Sequence, residues 1–158
     1  MADGSDTFEA GEIAGMRTAG WILLITAAIN LLATLFTGIV TTLAGAVVDV
    51  ALGIQLLRLR HSWRAWVLVR AGIGAVLGVL ICVGGLTQQG SMPTVIFGLG
   101  QIVYCGSLFL LVLGTPTPRR VGLGRVVFGV SVLLLFTGGF LAAQQVTDEP
   151  DEAVDEAT

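Results

Sequence analysis

The sequence predicts an all-α membrane protein, a bundle of about five transmembrane helices joined by short loops, with four spans as the alternative. Three observations carry that expectation. Only 12% of the 158 residues are charged, about half the share that covers a soluble domain. The mean hydropathy is +0.90, and the apolar residues fall in runs close to the ~20 residues that cross a hydrocarbon core about 30 Å thick. All eight cations are arginines, and they gather at or near the ends of those runs.

Three segments follow from composition. Residues 1–18 are a polar N-terminal tail, 19–143 a helical membrane domain, and 144–158 an acidic tail with too little apolar surface to fold. In the first segment Asp6 and Glu9 fit a capping box for a short helix from Thr7 to Arg17. Four acids precede the first apolar run, where a signal peptide would be basic, so that run is expected to be retained.

The apolar stretch from Gly20 to Leu57 would extend about 57 Å as one helix, nearly twice the core. It must break, and Thr37-Gly38-Ile39-Val40-Thr41-Thr42 is the best place. Spans are therefore expected at 20–37 and 42–57. The third runs from Trp66 to Leu86, the fourth from Thr94 to Gly114 and the fifth from Val121 to Ala143. All four prolines lie outside these limits, as helix breakers should.

Alternating five spans puts Arg17, the Arg58–Arg64 turn and the Arg119-Arg120 turn on one side. The positive-inside rule makes that side cytoplasmic, and Trp21, Trp63 and Trp66 fall at the same level, where indoles favour headgroups. The expected location is the cell membrane, with the N-terminus inside and the C-terminus outside. Arg64 followed by Arg70, and Arg119 followed by Arg125, form a faint echo of the kind a parallel repeat leaves.

The candidate site lies in the hairpin from Leu43 to Leu86. Its first run carries Gly45, Asp49 and Gly53, and its second Arg70, Gly74 and Gly78. Both sets are spaced i, i+4, i+8, so each forms one helical stripe. A carboxylate at the depth of Asp49 costs about 2.5–3.5 kcal/mol on insertion scales, which makes it a functional candidate. Arg70 is the partner expected to neutralise it across the hairpin, with the four glycines letting the two backbones approach. Asn30, Gln101 and Ser131 are further polar residues expected near the midplane. A titrating Asp49 would instead suit proton coupling.

Other chemistry is poorly supplied. His61 is the sole histidine, and the one acid in the body, Asp49, lies 12 residues away at a different depth. No catalytic triad or metal centre follows from that set. Cys82 and Cys105 form no CxxC motif. Gly72-Ile73-Gly74 lacks the strand context of a dinucleotide fingerprint. The expectation is a non-catalytic protein without cofactor. It would act through helix packing as an accessory, assembly or membrane-organising subunit, with an ion-coupled transporter centred on Asp49 as the alternative. Its partners would be the lipid bilayer and another membrane protein or a second copy of itself. No basic stripe suggests nucleic acid.

Overall fold

The computed structural model describes residues 10–37, 41–87, 91–114 and 117–147. They form five helices: α1 Ala10–Thr37, α2 Thr41–Leu57, α3 Trp63–Thr87, α4 Met92–Val112 and α5 Pro118–Thr147. Four of these, α1, α3, α4 and α5, are long and apolar enough to cross a membrane. The fifth, α2, is a shorter apolar helix of 17 residues. The break in the Gly20–Leu57 stretch falls between Thr37 and Thr41. Residues 144–147, expected to begin the acidic tail, are instead the last turn of α5, and the rest of that tail and the Asp6–Glu9 capping box lie outside the described residues.

The helix starts differ from the sequence limits in an informative way. α1 begins at Ala10, inside the segment read as a polar tail, and runs without interruption to Thr37. Glu12, Met16, Ala19, Leu23 and Ala27 are all buried. Their spacing is that of one helical stripe, so the amphipathic period starts before the hydrophobic run does. Pro93 sits in the first turn of α4 and Pro118 opens α5. Both belong to the helices, because a first turn needs no backbone donor from them.

α2 and α3 are joined by a tight turn. Leu59 N–H donates to Leu56 O at 2.9 Å, and Arg60 N–H donates to Gln55 O at 3.3 Å. That pair of bonds is a Schellman closure. Leu59 holds the left-handed position with φ 55°, where glycine is the usual residue. Its side chain packs against the core, which explains a leucine there.

α1 packs along α2, and α4 packs along both α3 and α5. The contacts between this α1–α2 hairpin and the α3–α4–α5 unit are slighter. One apolar cluster joins the two parts. Met16 and Leu23 of α1 and Leu56 of α2 meet Val67 of α3 and Leu108 and Leu111 of α4.

Candidate intramembrane ion pair and cleft

Asp49 stands on the α2 face turned toward α3 and is fully buried. Arg70 reaches it from two turns inside α3. Its Nε donates to Oδ1 at 3.1 Å and its Nη2 to Oδ2 at 3.3 Å. This is the two-pronged geometry a guanidinium offers a carboxylate. The helices themselves touch only slightly here, so the arginine stem spans the gap.

The glycines do not bring α2 and α3 together, which corrects the sequence reading. Gly53 faces α1: an added Cβ would lie 3.0 Å from Gly20 O. Gly20 meets Gly53 O at the same distance, so the two form a reciprocal close approach. Gly74 and Gly78 face α4. A Cβ on Gly74 would lie 2.7 Å from Cys105 Sγ, and one on Gly78 would lie 3.0 Å from Gly98 O. Gly45 has open space around its Cβ position. Three of the four glycines therefore sit at helix contacts, but with α1 and α4. The physical reason is length. An arginine side chain joining two helices keeps their backbones apart, so small residues are needed on the other faces.

A second polar cluster lies at the arginine end, and sequence reasoning missed it. Arg64 Nη1 pairs with Glu12 Oε1, and the two side chains are only 12% and 11% exposed. Arg64 also donates to the carbonyls that close α4: to Val112 O from Nε at 3.2 Å and from Nη2 at 2.6 Å, and to Gly114 O. His61 Nδ1 lies 3.5 Å from Glu12 Oε1. One guanidinium thus ties the start of α1, the start of α3 and the end of α4. Arg125 Nη2 donates to Thr18 Oγ1 at 3.1 Å, linking α5 to α1. Arg64 and Arg70 point inward, whereas Arg119, Arg120 and Arg125 are exposed. The spacing echo therefore corresponds to no shared environment.

A cleft of about 400 Å³ opens between α1, α4 and α5. Thr26, Asn30, Gln101 and Tyr104 line its α1 and α4 walls, and Arg70 of α3 lines it as well. Phe128 and Phe136 line the α5 wall, with Phe97 and Phe140 toward the far end. The Tyr104 and Phe128 rings lie 6.2 Å apart at a tilt of 53°. Of the residues expected near the midplane, Asn30 and Gln101 reach this cleft. Ser131 does not line it. It is fully buried and donates to Phe128 O of its own helix at 2.7 Å. Ser107 does the same toward Tyr104 O at 2.7 Å.

The arrangement neutralises a buried carboxylate and presents the guanidinium to a cleft lined by both polar and aromatic side chains. Among the described residues no group of three histidine, cysteine or acidic side chains is close enough to hold a metal ion. Comparison with protein-family models, with curated proteins and with solved structures gives no match.

Proposed function

We propose that this chain is a non-catalytic multi-pass membrane protein that acts through helix packing, as an accessory, assembly or membrane-organising subunit. The observation that carries this reading is the state of Asp49. Asp49, near the middle of α2, is engaged by two guanidinium nitrogens and buried between helices. Such a pair can hold helices in register. The outward face of α3 supports the same reading. Val69, Ile73, Val76, Leu80 and Val83 are exposed and follow the seven-residue spacing of a helix seam. The partner would be another membrane protein or a second copy of the chain. The membrane would be the cell membrane, with the arginine-rich end in the cytoplasm.

One observation favours the transporter reading. Arg70 lines the cleft, so the ion pair is in reach of a solute entering there. Affinity purification in mild detergent separates the two readings when wild type, Asp49→Asn and an Ile73→Ala/Val76→Ala variant are compared. The assembly reading expects defined co-eluting proteins, their loss from the α3 variant, and reduced abundance of Asp49→Asn. An Asp49→Asn protein of normal abundance and normal complexes that has lost a transport activity would favour the carrier.

A further inference from the structure

The cleft between α1, α4 and α5 has the dimensions and chemistry of a lipid site. It extends along α5 from Phe128 to Phe140, twelve residues, or about 18 Å at the helical rise. Phe136 and Phe140 line the cleft and are exposed.

Arg70 also lines the cleft, with a quarter of its side chain exposed, while its partner Asp49 is 1% exposed. The cleft therefore meets the cationic side of the pair. The bonds to Asp49 use Nε and Nη2. Nη1 and the amide nitrogen of Gln101 are neighbours, both near the Gly74 Cβ position at 3.2 Å and 3.3 Å. The strongest neighbour Gln101 Nε2 has among the described residues is the weak acceptor Cys105 Sγ at 4.0 Å. The Thr26 hydroxyl is already spent on Ile22 O at 2.9 Å. Two neighbouring donors that line one cleft together with several phenylalanines suit the oxygens of a carboxyl group.

We propose that this cleft binds a single-chain fatty acid, its carboxyl group at Arg70 and Gln101 and its hydrocarbon chain along the phenylalanines of α5.

The test uses the full chain in phosphatidylcholine nanodiscs and radiolabelled palmitate. Binding is expected to saturate at one palmitate per chain. Gly139 lines the cleft and its Cβ position is open, so Gly139→Trp fills the slot without touching the inner wall. It should weaken binding by roughly tenfold or more. Gly129, on the same helix but outside the cleft, also has an open Cβ position, and Gly129→Trp should bind as wild type. Gln101→Leu removes one donor and should weaken binding by about fivefold or more. Hexadecane, which lacks a head, should not compete. The proposal is overturned if Gly139→Trp binds palmitate normally, or if hexadecane competes as well as palmitate. It is equally overturned if palmitate is displaced in proportion to added phosphatidylcholine, because the slot then holds ordinary lipid chains.

Discussion

Asp49 and Arg70 form a buried pair on two helices that barely touch, and their energetics are asymmetric. Removing one partner strands a charge in the apolar interior at a cost of about 3–5 kcal/mol, whereas replacing both with apolar residues is often near neutral. Asp49→Leu and Arg70→Leu are each expected to lower folded yield sharply, and the double variant to recover much of it. Fluorescence-detected size-exclusion chromatography in detergent reads this directly. A double variant as poor as the sum of the singles would mean that the pair contributes nothing to folding. Both residues are legible in the sequence, because a lone acid and a displaced arginine in apolar runs at matching distance from one turn have few other partners. The Glu12–Arg64 pair was harder to read. Arg64 sits among arginines at a span end, where snorkelling is the ordinary expectation. Glu12 sits in a segment too polar to look membrane-embedded. The available clue was phase: Glu12 falls on the same helical stripe as Met16, Ala19 and Leu23.

At the scale of helices, the glycine stripes of α2 and α3 were legible as packing surfaces, but their partners were not. Spacing states that a face is smooth. It does not state which helix lies on it, and adjacency in sequence favours the wrong neighbour when a long side chain props that neighbour away. Gly20 and Gly98 complete the contacts of Gly53 and Gly78, yet neither belongs to an i, i+4 glycine pair that would draw the eye. Gly53 and Gly45 make a matched comparison two turns apart on α2. A Cβ at Gly53 meets the Gly20 carbonyl at 3.0 Å and the Leu24 side chain at the same distance, while Gly45 has room. Gly53→Ala should therefore separate α1 from α2 and lower the detergent melting temperature, at the ~1–3 kcal/mol typical of overpacking. Gly45→Ala should be neutral or stabilising by up to about 1 kcal/mol, because alanine is the better helix former. Equal effects at the two sites would show that the Gly20–Gly53 approach does not limit packing.

Across the whole molecule, the polar contacts define one end of the bundle. Arg64 joins the start of α1 to the start of α3 and the end of α4, so the chain leaves that end along α1 and returns along α2. It leaves again along α3, returns along α4, and departs a last time along α5. The ends of α3 and α4 meet at the opposite end, where a Cβ on Gly85 would touch Thr94 and Val95. Five traverses place the first residue of α1 and the last of α5 at opposite ends. Whether five traverses mean five crossings turns on α2. Its 17 residues extend about 25 Å, some 5 Å less than the hydrocarbon core. Local thinning of the bilayer and the snorkelling of Arg58 and Arg60 from the turn that follows can absorb a mismatch of that size. Reporter fusions at the N-terminus and after Thr158 should accordingly report opposite sides, the N-terminal one in the cytoplasm. Both reporters on one side would mean that α2 dips into the membrane without crossing it. In that case a cysteine at Leu43, exposed at the start of α2, would be labelled by a membrane-impermeant maleimide from the same side as one at Ser62. For a true crossing, the two positions should be labelled from opposite sides.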